Sequence, residues 1–413
     1  MKNLGIYVHI PFCIKKCDYC DFISYCDKTE YIEKYIESIK KEINNTVGAL
    51  SIRNTNKKYQ TAPLENSDYQ ITTIYIGGGT PSSIDSKYIV DILNTIKNVG
   101  DDAIVVPKEI TIEINPGTIT EEKLIDYKKA GINRLSIGLQ ETNNDLLKGI
   151  GRIHTYEQFL ETYKLARKAG FNNINVDLMI GLPGQSIENI KKSLNKIIEL
   201  NPEHISVYSL ILEEGTRLYK KYQEQRIELP DEELERNMYW YVKNTLENAG
   251  YNHYEISNFS REGYESRHNL NCWNQEEYIG IGTAAHSYIN GMRYSNTTNI
   301  EEYIRYVWEH LDSPRVGLEQ SLQNIKINED YVMINEIQTK EDMQKEYMLL
   351  GLRRIDGVSI QKFKNKFGQN PIFIFKNELS KLVEANLIII DVDRIKLTNK
   401  GLDLANIVWE KFV

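Results

Sequence analysis

The sequence predicts an α/β fold: an incomplete (β/α)6 barrel in the N-terminal half, followed by an α+β C-terminal region that includes a small winged-helix-like domain. Between about residues 4 and 208, six β-rich runs alternate with five helical patterns, which is typical of βαβ units with a parallel sheet. Polar residues stand at the ends of several successive runs, and this favours a barrel over an open sheet. From about residue 341, three helical patterns precede two short β-runs and a last helix, an order typical of a winged helix.

Each predicted element follows from its residue pattern. The β-rich runs are short and rich in Ile, Val and Tyr, and they begin at Leu4, Ile71, Glu109, Asn133, Asn172 and His204. The helical patterns lie between these runs and cover Tyr31–Ile43, Asp85–Asn98, Glu121–Ala130, Thr155–Ala169 and Ser186–Leu200.

Changes in composition and residue pattern along the chain also predict its domain organisation. Residues 1–210 form the predicted barrel, residues 211–340 form a middle region that extends it, and residues 341–413 form the small C-terminal domain. Residues 44–70 are polar and lack an apolar period, which indicates a surface insertion within the barrel.

Length and charge exclude several classes of protein. With 413 residues, the chain is long enough for two or three domains. It carries 58 acidic and 50 basic residues, and this net charge of −8 argues against a generally basic surface for nucleic acid. Residues 341–413 hold 12 basic and 10 acidic residues, so their pattern favours a stabilising or partner-docking role over DNA binding. No run approaches 18 apolar residues and no secretory signal is apparent, which predicts a cytoplasmic protein without a membrane span.

Three of the five cysteines, Cys13, Cys17 and Cys20, lie in one loop directly after the first predicted strand. Their C-x3-C-x2-C spacing suits three irons of a cubane cluster and leaves the fourth iron open to another ligand. A structural zinc site is the alternative, but its fourth ligand would have to be Cys26 or His9, at a poor spacing for zinc. The small cysteine count fits a reducing compartment and a metal site rather than a disulfide framework.

Other polar or flexible positions stand at the ends of successive predicted strands. Three glycines, Gly77–Gly79, end the second strand and allow a ligand to approach the backbone. Glu113 ends the third strand, Gln140 ends the fourth, and the fifth carries Asp177. Because these strand ends meet at one face of a barrel, we expect their side chains to converge on one pocket. Arg152 offers a cation for a carboxylate ligand, although a surface salt bridge is the plainer interpretation of one arginine.

In these motifs the chain resembles the radical SAM proteins of the oxygen-independent coproporphyrinogen III oxidase family (SAM, S-adenosylmethionine). The segments YVHIPFC, GGGTP, EINPG, SIGLQ, GRIH and DLMIGLPGQ follow the family in order and spacing. The resemblance covers the first half of the chain closely and the second half more loosely. It implies that Cys13, Cys17 and Cys20 bind a 4Fe-4S cluster that donates one electron to SAM.

The resemblance also implies roles for individual residues around that cluster. The positions that contact the cluster-bound SAM are Tyr7, Gly78 and Glu113. In the coproporphyrinogen dehydrogenase branch, a second SAM is contacted at the positions of Gly79, Thr80, Gln140, Arg152 and Asp177.

Two departures separate the chain from coproporphyrinogen dehydrogenases and make it similar to the HemW branch of heme chaperones. Those enzymes have a fourth cysteine two positions after the third, where this chain has Phe22. They also carry an N-terminal extension, for which we expect no counterpart because Tyr7 lies near the start. The segment HNLNCW resembles the HemW motif H-N-x-x-Y-W, with Cys272 in place of its tyrosine. Its His268 is a candidate heme ligand, and a hydrogen-bonded structural histidine is the alternative.

The HemW branch implies a protein that binds the cluster, SAM and heme and delivers heme to acceptor proteins such as respiratory enzymes. A radical SAM enzyme acting on a porphyrin, such as a coproporphyrinogen III dehydrogenase, is the second hypothesis. A zinc-stabilised binding barrel is the third. A homodimer and a transient membrane association stay open, and no nucleic-acid partner is expected.

Overall fold

The structure is a computed structural model that describes residues 2–51, 69–99, 105–311 and 332–413. The chain forms two compact units. The first unit draws on Met1–Asn175, Ile211–Ile227 and Glu277–Glu336, and the second draws on Val176–Leu210, Glu228–Glu276 and Ile337–Val413.

Strands and helices alternate along most of the chain. Within the described ranges the strands are β1 Lys2–Ile10, β2 Tyr69–Gly78, β3 Val105–Ile114, β4 Arg134–Gln140, β5 Ile174–Ile180, β6 His204–Ser209, β7 Asn252–Glu255, β8 Asn258–Ser260, β9 Glu277–Ile281, β10 His286–Ile289, β11 Met292–Asn296, β12 Val332–Ile337, β13 Val358–Ser359, β14 Ile388–Ile390 and β15 Arg394–Leu397. The α-helices there are α1 Ile32–Ser51, α2 Ser86–Asn98, α3 Glu121–Lys129, α4 Asn144–Gly149, α5 Tyr156–Lys168, α6 Ile187–Leu200, α7 Arg217–Gln223, α8 Glu232–Asn248, α9 Arg267–Trp273, α10 Ile300–His310, α11 Lys340–Gly351, α12 Ile360–Phe367, α13 Pro371–Ile374, α14 Lys376–Glu384, α15 Asn399–Asp403 and α16 Ala405–Trp409.

The first unit is built on a mixed sheet with the strand order β12-β11-β10-β9-β1-β2-β3-β4. Strands β1 to β4 run parallel and β9 runs parallel to β1, whereas β10 is antiparallel to β9 and β11. Successive residues of a strand point to opposite faces. In β1, Ile6, Val8 and Ile10 therefore share one fully buried apolar face, while Tyr7 and His9 share the opposite face.

Helix α1 is longer than the sequence pattern predicted. Its buried residues Ile36, Ile39, Ile43 and Val47 follow a spacing of three or four and form one apolar stripe. Because Val47 continues this stripe, the helix runs on to Ser51. The predicted insertion at 44–70 is thus wrong for residues 44–51, which are helical, and for residues 69–70, which open β2. Residues 52–68 of that prediction lie outside the described residues.

The second unit contains the antiparallel strands β6, β8 and β7, in that order, and the C-terminal region. Helices α11 to α16 accompany a three-stranded sheet with the order β13-β15-β14. The core of this region is aromatic: Phe363 lies edge-on to Tyr347 and Phe375, and Phe412 lies edge-on to Phe375. The predicted α+β region with a small winged-helix-like domain is therefore confirmed.

The predicted alternation of strands and helices is also confirmed. The six β-rich runs are β1 to β6, and the five helical patterns are α1, α2, α3, α5 and α6. Helix α4 has no predicted counterpart because it is only six residues long, and its start depends on the Asn143 side chain, which accepts from the Asp145 amide (2.8 Å). Within the described residues, no helix is both long enough and apolar enough to cross a bilayer.

Candidate functional site

The three clustered cysteines lie on a loop that follows β1 and folds back on itself. The Tyr25 amide donates to the carbonyl of Pro11 (2.7 Å), and the Cys13 amide donates to the carbonyl of Tyr25 (2.9 Å). The Cys20 amide donates to the carbonyl of Cys17 (3.3 Å), which closes a turn between these two cysteines. Backbone hydrogen bonds thus gather three partly buried thiols in one short loop.

The loop offers three thiols, the donor type that iron–sulfur clusters take. Burial raises the pKa of Cys20 to about 11 and also raises the pKa of Cys13, so metal binding must displace these protons. Among the described residues, no three His, Cys, Asp or Glu side chains stand close enough to hold one metal ion. A zinc site needs four ligands around one ion, whereas a cubane takes three thiolates on three different irons. The three thiols of the loop match the cubane in number.

A buried aspartate between the cysteines fixes the loop to its surroundings. Asp18 Oδ2 lies 2.6 Å from Lys221 Nζ. The Asp18 amide donates to the carbonyl of Ile150 (3.0 Å), and the Leu218 amide donates to the carbonyl of Asp18 (2.7 Å). A Cβ at Gly151 would lie 2.7 Å from Asp18 Oδ1, so the close approach requires glycine. No sequence signal marks this ion pair, because its residues are 203 positions apart.

Glu113, at the end of β3, is held by the glycine turn that ends β2. Its carboxylate accepts from the Tyr75 hydroxyl (2.8 Å) and from the Gly78 amide (3.2 Å). A Cβ at Gly77 would lie 2.9 Å from the carboxylate carbon, so a side chain there would displace Glu113. Two donors and a glycine thus orient a carboxylate that can accept from the ammonium group of a ligand.

Tyr7 and His9, on the same face of β1, are joined by a hydrogen bond. The carbonyl of Ile23 can only accept, so His9 Nε2 donates to it (2.9 Å). In the neutral ring Nδ1 is then the acceptor, and the Tyr7 hydroxyl donates to it (2.9 Å). Burial lowers the pKa of His9 to about 4, so the ring stays neutral. Burial, and secondly the charge of Glu113, raise the pKa of Tyr7. Tyr7 therefore lies near the carboxylate, and His9 ties β1 to the end of the cysteine loop.

Thr80, Asn115 and Arg152 form a hydrogen-bonded group beside the cysteines. Asn115 Nδ2 donates to Thr80 Oγ1 (2.8 Å), and Arg152 Nη2 donates to Asn115 Oδ1 (2.8 Å). Thr80 Oγ1 lies 3.5 Å from Cys13 Sγ. Arg152 Nη1 lies 3.5 Å from Cys17 Sγ. The guanidinium is thus held at the cysteine loop, and Asn115, which was not predicted as a site residue, links it to Thr80.

Gln140 and Gly79 adjoin this group. Gln140 ends β4 with a φ of 73°, a left-handed conformation that is uncommon outside glycine. A Cβ at Gly138 would lie 2.9 Å from Asn115 Oδ1. The same Cβ would lie 3.1 Å from both Gln140 Nε2 and Arg152 Nη2, so three polar groups converge on this glycine. A Cβ at Gly79 would lie 2.9 Å from a carbonyl of the cysteine loop.

The first unit thus brings together the predicted cluster residues and all but one of the predicted SAM residues. The exception, Asp177, lies on β5 in the second unit, where its side chain is partly buried. The predicted heme ligand, His268, also lies in the second unit.

His268 lies on α9, near the start of this short helix, and is 7% exposed. Ser266 caps α9 by accepting from the Asn269 amide (3.3 Å). The Ser266 amide in turn donates to the Tyr254 hydroxyl (3.2 Å), which fixes the N-terminal end of the helix. Cys272, in the last turn, is partly buried.

The C-terminal end of α9 is held by side chains from the C-terminal helices. The Arg353 guanidinium lies between two rings, 4.6 Å from the Trp273 centroid and 4.8 Å from the Trp409 centroid. Lys366 Nζ donates to the carbonyl of Gln275 (2.9 Å), two residues beyond the helix. Contacts between residues far apart in sequence therefore place α9, and none of them has a motif.

Two family models and several relatives match this chain. Residues 7–197 match the Radical SAM superfamily, and residues 338–404 match the HemN C-terminal domain. The whole chain is 37% identical to the heme chaperone HemW of Lactococcus lactis subsp. lactis (strain IL1403) and covers 98% of it. It is 36% identical to the heme chaperone HemW of Bacillus subtilis (strain 168), over 98% of each chain.

A solved structure supports the fold. The coproporphyrinogen III oxidase HemN from Escherichia coli, described as a radical SAM enzyme, superposes with a TM-score of 0.77. The match covers 100% of this chain and 90% of HemN, at 21% sequence identity. This likeness confirms the predicted α/β fold with an incomplete barrel and carries no conclusion about activity.

Proposed function

This chain belongs to the HemW family of the radical SAM superfamily, and from that premise we propose that it is a heme chaperone. It binds a 4Fe-4S cluster, SAM and heme, and it delivers heme to acceptor proteins such as respiratory enzymes from the cytoplasm. The observation that carries the proposal is His268, an imidazole 7% exposed on α9 within the HNLNCW segment. Imidazole is a common axial ligand of heme iron, so His268 is the proposed ligand.

The cysteine loop is the proposed cluster site. Cys13, Cys17 and Cys20 supply three thiolates, and the ion pair of Asp18 with Lys221 holds the loop that carries them. A bound cluster of this kind supplies one electron to the sulfonium of SAM.

The residues proposed to contact the cluster-bound SAM are Tyr7, Gly78 and Glu113. The Glu113 carboxylate, oriented by the Gly78 amide, accepts a hydrogen bond from the SAM ammonium. Tyr7 lies beside this carboxylate and stays protonated, because burial raises its pKa. The chain therefore contributes an oriented anion for the amino acid part of SAM.

The positions that match a second SAM site in the dehydrogenase branch are also proposed to bind a ligand. In the first unit they are Gly79, Thr80, Gln140 and Arg152. The support for this is the Asn115 side chain, which holds both Thr80 and Arg152 in place. A guanidinium fixed in this way can bind a carboxylate through two parallel hydrogen bonds.

Phe22 favours the chaperone over a coproporphyrinogen dehydrogenase. It occupies the position of the fourth cysteine of those enzymes, and its side chain is 65% exposed. The SAM residues that the chain retains favour the second candidate, a radical SAM reaction on a porphyrin. The two candidate functions differ in their product: a chaperone releases the porphyrin unchanged, whereas an enzyme releases a chemically altered porphyrin.

A heme titration beside a porphyrin assay separates these candidates. We expect the reconstituted protein to develop a Soret band with heme and to keep the band after desalting. We also expect no conversion of coproporphyrinogen III to protoporphyrinogen IX under conditions in which a coproporphyrinogen dehydrogenase, as positive control, consumes it. Loss of heme on desalting with the cluster intact would contradict the chaperone. Decarboxylation with SAM consumed in proportion to product would establish the enzyme instead.

A further inference from the structure

Cys26 stands opposite Cys13 where the cysteine loop doubles back. Phe12 and Tyr25 form a parallel β-bridge. Two backbone hydrogen bonds form the bridge. The Tyr25 amide donates to the carbonyl of Pro11 (2.7 Å), and the Cys13 amide donates to the carbonyl of Tyr25 (2.9 Å). The residues that follow the bridged pair are Cys13 and Cys26. The bridge is isolated, and the Cys13 amide hydrogen bond holds Cys13 against Tyr25, the residue before Cys26.

The bridge brings the backbone at Cys13 close to the backbone at Cys26. Paired strands lie about 4.8 Å apart. A disulfide needs Cα atoms about 4.4–6.8 Å apart.

The two thiols also differ in their access to solvent. Cys26 is exposed and Cys13 is partly buried. A small oxidant therefore reaches Cys26 more readily, and Cys13 is the neighbouring thiol that can react with the oxidised product. Cys26 is therefore the cysteine that the oxidant reaches first, and Cys13 is the resolving cysteine.

We propose that Cys13 and Cys26 form a reversible disulfide when the loop carries no cluster, with hydrogen peroxide as the oxidant. The Cys26 sulfur takes one oxygen from the peroxide and becomes a sulfenic acid, and the other oxygen leaves as water. The Cys13 thiolate then attacks the Cys26 sulfur, so that the S–S bond forms as the S–O bond breaks. The departing hydroxide takes up a proton and is the second water. In total the two thiols lose two electrons and two protons, and the peroxide gains them.

The disulfide protects a cluster ligand and blocks cluster assembly until it is reduced. While Cys13 is bound to Cys26, its sulfur remains recoverable by a thiol reductant. Without Cys26, the oxidation of Cys13 proceeds to the sulfinic acid, which thiols do not reduce. A disulfide between Cys17 and Cys20 is the competing product, because the backbone turn between these residues also brings two cysteines together.

Peptide mapping of the full-length protein distinguishes the two pairings. Trypsin cleaves after Lys15, Lys16 and Lys28, so Cys13 falls in the peptide 3–15 and the other three thiols of the loop fall in the peptide 17–28. The cluster is removed by chelation, the protein is treated with hydrogen peroxide, and free thiols are alkylated before digestion. We expect the two peptides to be joined, with alkyl groups on Cys17 and Cys20.

Two variants complete the test. Cys26→Ser should lose the joined peptides, whereas Cys272→Ser, a change in the other unit, should keep them. After peroxide and then dithiothreitol, the peptide 3–15 of wild type should carry mostly unmodified Cys13, and that of Cys26→Ser should carry mostly the sulfinic acid. Untreated Cys26→Ser should assemble a full cluster, which shows that the serine itself does no harm.

Three results would overturn the proposal: a Cys17–Cys20 disulfide with Cys13 alkylated, joined peptides that persist in Cys26→Ser, or as much unmodified Cys13 in Cys26→Ser as in wild type after peroxide and dithiothreitol. None of these results depends on heme, so the proposal can fail while the chaperone function stands, and the reverse also holds.

Discussion

The cysteine loop of the first unit and helix α9 of the second unit hold their proposed ligands in different ways. In the loop, backbone hydrogen bonds and closely approached glycines set the positions of Cys13 and its neighbours. Helix α9, which carries His268, is placed instead by side chains from distant parts of the chain, among them Arg353.

This difference explains why the cysteine loop is marked by several closely matched motifs, whereas the contacts that place α9 are marked by none. A backbone turn needs particular residues at fixed spacings, because only glycine tolerates the contacts found at Gly77 and Gly151. A helix held by side-chain contacts needs only compatible partners, and these can lie anywhere in the sequence. Substitutions in the cysteine loop should therefore abolish cluster binding, whereas substitutions around α9 should reduce or alter heme binding.

The largest expected effect is the loss of the cluster. Cys17→Ser should reduce the iron content from about four per chain to background, because a hydroxyl is a poor ligand for iron. Cys272→Ser, on α9, is the matched control and should keep the full content. Iron and sulfide analysis after anaerobic reconstitution measures both, and a fully loaded Cys17→Ser protein would refute the assignment of the loop.

The next effect is on SAM. Glu113→Ala should weaken SAM binding about ten- to over a hundredfold, since a hydrogen bond to a charged group contributes roughly 1.5–3 kcal/mol. Gly77→Ala should act in the same direction, because its Cβ would meet the Glu113 carboxylate. Calorimetry on the cluster-loaded proteins measures both variants. Wild-type affinity in Glu113→Ala would remove this residue from the site.

A smaller effect concerns the stability of the second unit at low pH. Burial lowers the pKa of His253 to about 4. Between about pH 6.5 and 4 the unfolded chain therefore binds a proton that the folded chain does not, so stability falls as the pH falls. Between pH 7 and pH 5, one such histidine lowers the free energy of unfolding by about 2 kcal/mol. Urea unfolding of wild type and His253→Phe at both pH values should show a weaker pH dependence in the variant, and an equal dependence would contradict this origin.

The smallest effect tests the placement of α9. Arg353→Gln removes a cation held between Trp273 and Trp409, contacts that contribute about 1 kcal/mol each. We expect heme affinity to fall severalfold, with a full cluster content, and Arg353→Lys to restore part of it. Arg236→Gln, which alters an exposed arginine of the same unit, is the control. Heme affinity unchanged in Arg353→Gln would show that this contact does not position the helix.

The sequence predicted the strands and the position of the three cysteines in one loop after β1, because both depend on short-range patterns. The alternation of apolar runs marks β1 to β6, and the spacing of Cys13, Cys17 and Cys20 marks their loop. The sequence could not predict the ion pair of Asp18 with Lys221, since no pattern distinguishes this aspartate from the other charged residues of the loop.

The end of α1 was missed for a related reason. Val47 is a single apolar residue in a polar stretch, and only its burial shows that the helix continues. Likewise, Asn115 looks like an ordinary turn residue in sequence, and its link between Thr80 and Arg152 exists only in the folded chain.

The most direct test of the account is the absorption spectrum of the heme-loaded His268→Ala protein beside that of wild type. If His268 ligates the iron, the Soret band of the variant should shift while its cluster content stays full, and some heme should remain bound through the apolar face of the porphyrin. An unchanged Soret band with wild-type affinity would contradict the assignment of heme to helix α9.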